Sequence, residues 1–275
     1  MKIIINADDL GINKTVNKSI DEFLEKAVIS SATILANGKA FDDVKEIVVK
    51  HPKASFGVHL NLTEFASLTQ SPVLARYGIT TKDGEFVKGM IFKSDINKEL
   101  RKAIYLELKA QVLKIMESGI EISHFDGHHH CHLQPQLFGV IRKLAREFGV
   151  KRIRQNAARP LLLSFKKVKY TSRQFAEKAK NESIKSNRSF LLRFNNSIKS
   201  IYWYYRIKFN YITTDLFLSY AFYEMNKESI EVIQNLTIEL MCHPGHPAYK
   251  IESSLILGLE KKNNLGYRLI NFMDL

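Results

Sequence analysis

Lys2-Ile3-Ile4-Ile5-Asn6-Ala7-Asp8-Asp9-Leu10-Gly11 is an apolar run that ends on two adjacent acids and a glycine. Such a run reads as a short strand that delivers polar groups at its C-terminal end. Val16, Ile20, Phe23, Leu24 and Ala27 follow at helical spacing, so a strand leads into an amphipathic helix. The same rhythm returns downstream. Strands are expected over residues 29–35, 55–62, 120–126, 150–154, 212–220 and 237–242. Helices are expected around Phe41 to Val48, from Ser94 or Asp95 through Ile115 to a stop at Gly119, from Pro135 to Gly149, around Ile230 and Ile233, and over 253–262. Repeated β-then-α units argue an α/β fold with a parallel sheet or barrel and right-handed crossovers. In a barrel, the strand ends would gather their polar residues at one rim.

Two stretches break the rhythm. Residues 63–93 read as a loop insertion over the rim, with Lys82-Asp83-Gly84-Glu85 as a hairpin turn. Residues 159–210 read as an inserted basic helical region within a single domain of 1–275, rich in Phe190, Tyr202, Trp203, Tyr204 and Tyr205. Charge is concentrated there. The chain carries +13, and the segment 159–214 holds 13 Lys or Arg against 2 acids, leaving the remainder nearly neutral. A hydrophobic fraction of 45% and a charged fraction of 25% are those of a soluble globular protein, which excludes fibrous and disordered classes. No apolar run approaches the roughly eighteen residues needed to span a bilayer, so a cytoplasmic location is the default expectation. Cys131 and Cys242 are expected to be reduced and buried.

The chemistry concentrates in four places: Asp8-Asp9, His59, the run Asp126-Gly127-His128-His129-His130-Cys131-His132, and His243-Pro244-Gly245. Adjacent carboxylates repel unless a cation offsets them. One can ligate a metal while the other serves a bound water as base, although a turn and helix cap would also explain the pair. Four histidines in five positions cannot all be core residues, because burying several imidazoles without partners is costly. At least one is expected to ligate metal, His128 being best placed, with the others meeting substrate or outer carboxylates. His243, on a rigid turn, suits a general acid. One carboxylate and two imidazoles would hold zinc, and would also accept magnesium, manganese or cobalt.

These motifs resemble, in this order, the YdjC-like carbohydrate deacetylases, the family that includes chitooligosaccharide deacetylase. The resemblance is carried by Asn6-Ala7-Asp8-Asp9-Leu10-Gly11, Ser31-Ala32-Thr33 with Asn37-Gly38, Gly57-Val58-His59-Leu60-Asn61-Leu62-Thr63-Glu64, His124 to His132, and Glu239-Leu240-Met241-Cys242-His243-Pro244-Gly245. It implies a distorted (β/α) barrel related to polysaccharide deacetylases and a divalent metal, usually magnesium, on Asp9, His59 and His128. Asp8 would be the base and His243 the acid, and the reaction would release acetate from an N-acetylated sugar or oligosaccharide. Asn61, Asp126, His130 and His132 are expected on the substrate side.

Two features depart from the family pattern. Phe65 stands where such proteins often have glycine, and 159–210 is unusually long, basic and aromatic. That region is expected to meet an anionic or lipid-linked glycan or an anionic membrane, or to form a solvated hairpin or homodimer contact. The alternatives are a metal hydrolase of a phosphoester or cyclic amide and a non-catalytic glycan-binding relative. No nucleic-acid partner is expected, since the basic segment is remote in sequence from the motifs.

Overall fold

The structure is a computed structural model that describes residues 1–155, 205–230, 235–261 and 266–275. The strands are β1 (Lys2–Leu10), β2 (Ser31–Ile34), β3 (Ser55–Leu60), β4 (Phe125–Gly127), β5 (Leu216–Ser219), β6 (Thr237–Cys242) and β7 (Arg268–Leu269). All the pairings among them are parallel, in the order β4-β3-β2-β1-β6-β5, and β7 pairs with the start of β1. Isolated bridges Phe125↔Ile153 and Arg152↔Ile212 carry the sheet from β4 back toward β5. The expected distorted barrel is therefore a curved parallel sheet whose ring, among the described residues, closes through single bridges.

The helices are α1 (Lys14–Glu25), α2 (Val44–Lys50), α3 (Pro72–Arg76), α4 (Lys98–Glu117), α5 (Phe138–Glu147), α6 (Tyr220–Ile230) and α7 (Lys250–Leu257). Asn13 caps α1 by accepting from Val16 N at 2.9 Å. Ile20 and Phe23 of α1, Ile104, Leu108 and Val112 of α4, and Ile141 and Leu144 of α5 are buried in one core with Ile3, Ile5 and Ala7. The opposite face of β1 points into the ring. There Ile4 packs on Ile270 and Phe272, plugging the end where the strands begin, and Asn6 and Asp8 follow at the strand period toward the other end.

Several boundaries differ from the sequence expectation. Ala27 lies beyond α1 in a left-handed turn (φ 49°) and is exposed. The α4 cap is Asn97, whose side chain accepts from Leu100 N, rather than Ser94 or Asp95. The strand expected over 120–126 pairs as a ladder only from Phe125, and that over 150–154 survives only as bridges. The strand expected over 212–220 is divided: Ile212 bonds to Lys151 and Ile153, the chain then changes partner, and Leu216–Ser219 pairs with β6. The last helix starts earlier, at Lys250. The hairpin over 79–87 forms as expected, with Thr81 N bonding to Glu85 O and Val87 N to Ile79 O.

The loop insertion is tied down by two buried polar residues of α4. Glu107 accepts from Leu68 N and Thr69 N, and Gln111 exchanges hydrogen bonds with both backbone groups of Asn61. Residues 231–234 and most of the basic region, 159–204, lie outside the described residues. Among the described residues, no helix is long and apolar enough to cross a membrane.

Candidate metal centre and its surroundings

In a regular strand Asp8 and Asp9 would point to opposite faces. Here the register of β1 slips against β2. Ala7 pairs with Ala32 but Leu10 with Ile34, so β1 holds one extra residue, and Asp9 takes φ 73°. Such a bulge re-aims side chains, and both acids reach the same buried site. The β3–β4 register sets His59 beside Asp126, and the β1–β6 register, which ends at Ala7↔Cys242, brings His243 alongside Asp8. His128 opens the turn after β4. His129 (φ 51°) and His130 (φ 57°) take left-handed conformations, which splays the histidine run in different directions.

Three ligand atoms converge. Asp9 Oδ1 lies 2.9 Å from His128 Nδ1 and 3.3 Å from His59 Nε2, and the two nitrogens are 3.3 Å apart. Donor atoms sharing one divalent ion at roughly 2.1 Å stand about 3.0–3.4 Å apart, so the triangle has the dimensions of half a coordination shell. Asp9 Oδ1 is buried and has no well-directed hydrogen-bond donor, leaving its lone pairs available. The chemistry of the set therefore fits a divalent metal. A second grouping, Asp8, His59 and Asp126, is less suited because Arg154 already holds both carboxylates.

Each imidazole in the triangle has a carboxylate on its other nitrogen. His59 Nδ1 lies 2.8 Å from Asp126 Oδ1 and His128 Nε2 lies 3.3 Å from Glu64 Oε2. This fixes the ring orientations and leaves the inward nitrogens free to face a shared cation. Burial opposes a charge on His59, but Asp126, Asp9 and Asp8 outweigh it and push the pKa up to about 10. Without metal, the charged ring stabilises the fold fully below pH 6.5, and that contribution is lost as pH rises toward 10. Metal must displace this proton. Affinity should accordingly climb by up to about tenfold per pH unit near neutrality, with close to one proton released per ion. Calorimetry in buffers of different ionisation enthalpy would count it, and zero release would contradict the picture.

Beneath the triangle lies Arg154, fully buried and unanticipated from sequence beyond its place at a strand end. Its guanidinium grips Asp8 with two hydrogen bonds of 2.8 and 2.7 Å, lies 2.6 Å from Asp126 Oδ2, and donates from Nε to Glu239 at 2.5 Å. Burial would raise Asp8, yet Arg154 overrides it and holds the carboxyl far below the ordinary range. Glu239 fares differently: burial dominates and pushes it up to about 8. Asp8 Oδ1 also accepts from Asn6 Nδ2 at 2.8 Å.

His243 is 16% exposed, stacks on Tyr249 and has Nδ1 3.8 Å from Glu252 Oε2. Burial works against its charge, but Glu252, Asp8 and Asp9 raise its pKa above the usual histidine value. Of the four groups expected on the substrate side, only His130 reaches a partly open position, its ring edge-on to Phe217. Asp126 is enclosed between His59 and Arg154, His132 bonds through Nε2 to Arg154 O, and Asn61 binds Asn37, Thr63 and Glu64 to order the loop. Burial pushes the pKa of His130 down to about 4, so the ring is neutral. Cys131 and Cys242 are buried free thiols, both raised in pKa by burial. Glu239, Glu64 and Glu252 lay within or near the quoted motifs without being singled out. The available signal for Glu239 was a lone acid inside an apolar strand.

Similarity to known proteins agrees with this geometry. A carbohydrate deacetylase from Brevibacillus brevis is 33% identical over 150 residues, and one from Listeria monocytogenes is 39% identical over 157 residues. Each alignment covers 54% of this chain, and the chain spans 58% and 59% of those relatives' lengths. A crystal structure from Enterococcus faecalis, described as a cellobiose-phosphate cleavage protein, superposes with a TM-score of 0.65 at 20% identity. That superposition covers 99% of this chain and 98% of the other, a likeness of fold. The family model described as YdjC-like protein matches residues 2–264, and the chain belongs to that family.

Proposed function

We propose that the chain is a metal-dependent hydrolase that removes the N-acetyl group of an amino sugar or short oligosaccharide and releases acetate. The observation that carries this reading is the convergence of Asp9, His59 and His128 on one point, beside an ionised Asp8 and a readily protonated His243. The carbohydrate deacetylases among the relatives supply the bond and the substrate class. A divalent cation held by the three ligands, magnesium by family resemblance or zinc by donor type, would acidify a bound water and polarise the acetamide carbonyl.

The protein's own groups do the rest. Arg154 keeps Asp8 ionised and fixed in orientation, so that the carboxylate is positioned to receive the proton of the attacking water, with its basicity moderated by that pairing. Burial works against a charge on His243, but Glu252, Asp8 and Asp9 raise its pKa above the usual histidine value, which favours the protonated ring, and it can pass that proton to the departing amine. Asp126 and Glu64 hold the two imidazoles in their ligating tautomers. The basic region 159–210 is assigned to the anionic part of a glycan or its membrane carrier.

Metal analysis of the purified protein, combined with assays of acetate and phosphate release, tests the reading. Acetate released from N-acetylated sugars, abolished by chelation and restored by a divalent ion, is the expected result. Phosphate release without acetate would move the chain to phosphoester hydrolysis.

A further inference from the structure

We propose that Glu64 and His129 form a second, weaker site for a zinc-type divalent ion, beside the centre of Asp9, His59 and His128. The proposed reaction gives His129 no task. Its backbone is left-handed (φ 51°), and its ring bonds to Thr63 rather than to any group of the centre. The hydrogen bonds of Thr63 decide which ring nitrogen is free. Thr63 Oγ1 donates at 3.0 Å to Asn61 Oδ1, which can only accept, so the same hydroxyl accepts from His129 Nδ1 at 2.9 Å. The neutral ring therefore carries its hydrogen on Nδ1 and its lone pair on Nε2. Nε2 lies 3.9 Å from Glu64 Oε1, and no donor among the described residues bonds to it. A nitrogen lone pair and a carboxylate oxygen thus face each other with no proton between them, an arrangement that calls for a cation.

Lys88 supplies one positive charge, but its ammonium bonds to Glu64 and not to His129. With Lys88 72% exposed, this is a surface pair of the weak kind, which a dication can displace. Donor atoms sharing one zinc at about 2.0–2.1 Å stand about 3.3 Å apart, so the two need to close by only about 0.5 Å. Both side chains are partly open and able to move that far. An imidazole nitrogen with a carboxylate oxygen favours zinc, copper or nickel over magnesium. Glu64, His128 and His129 offer ligand atoms within 4.8 Å of one another, but His128 Nε2 already faces Glu64 Oε2 at 3.3 Å. Two protein ligands against three make this the weaker site. Filling it should also reach the centre, because an ion on Oε1 draws charge from the carboxylate that steadies His128. Excess zinc should then slow acetate release, an effect that rests on the deacetylase reading.

Equilibrium dialysis against zinc chloride alone, followed by metal analysis, compares wild type, His129→Asn and Lys88→Met. Asparagine tolerates the left-handed backbone and Lys88 is exposed, so both variants should keep the fold. Wild type should bind a tight and a weak ion, and His129→Asn the tight one alone. Lys88→Met should bind both, with the weak step about two- to fivefold tighter once the competing ammonium is gone. Equal stoichiometry in wild type and His129→Asn overturns the site, as does a weak step that Lys88→Met leaves unchanged. In acetate assays of the zinc-loaded enzyme, further zinc should inhibit wild type about tenfold more strongly than His129→Asn, and equal inhibition overturns the link between the sites. If wild type releases no acetate, the deacetylase reading fails and dialysis alone decides the second site.

Discussion

Replacing Arg154 by leucine is expected to lower the unfolding free energy by about 3–5 kcal/mol, the usual cost of stranding buried charge. Three enclosed acids, Asp8, Asp126 and Glu239, share this one guanidinium, and among the described residues no other arginine or lysine forms an ion pair with them. The loss should depend on pH with a definite sign. In wild type the depressed Asp8 pKa contributes stability that is present above about pH 3.8 and is lost as pH falls further. In the variant, the unpaired acids have raised folded pKa values, so stability is lost as pH rises. The gap between the two proteins should therefore be widest at neutral pH and narrow toward pH 4. Urea unfolding at several pH values measures it; equal midpoints at pH 7 would refute the view of Arg154 as the central counter-charge.

Asp8→Asn should reduce kcat for acetate release by about 10²- to 10⁴-fold, the range attributed to a positioned base. Metal affinity should change little, because the Asp8 carboxylate belongs to Arg154 and lies outside the triangle of Asp9, His59 and His128. Kinetics and metal titration on the same preparation separate the two roles. Metal loss alongside activity would place Asp8 among the ligands, and undiminished turnover would remove it as base.

The strands and helices were legible where their signals were local. The apolar run of β1, the spacing of Ile20 and Phe23, and Gly119 as a stop all follow from short-range rules, and the structure reproduces them. Polar residues at strand ends likewise marked the centre, because a barrel leaves them few other places. Arg154 was hidden for a physical reason. Its partners lie on β1, β4 and β6, and nothing in a short basic strand reveals that three distant acids converge on it. Asn61 shows the opposite failure: the resemblance put it on the substrate side, but β3 ends at Leu60, and the residue turns to organise the loop. The bulge that brings Asp8 and Asp9 to one face is equally invisible locally, since an added residue shows only against the partner strand.

The weak closure of the ring has a consequence for how such proteins can diversify. The proposed metal ligands, base and acid sit on or directly after strands of the continuous arc from β4 through β1 to β6, whereas residues 156–204 enter the sequence where, among the described residues, single bridges complete the circle. Extra chain introduced at that seam interrupts none of the described ladders and shifts none of the registers that aim Asp9, His59 and His128. Descendants could exchange that segment wholesale, acquiring new glycans or new surfaces, while inheriting an unaltered reaction centre.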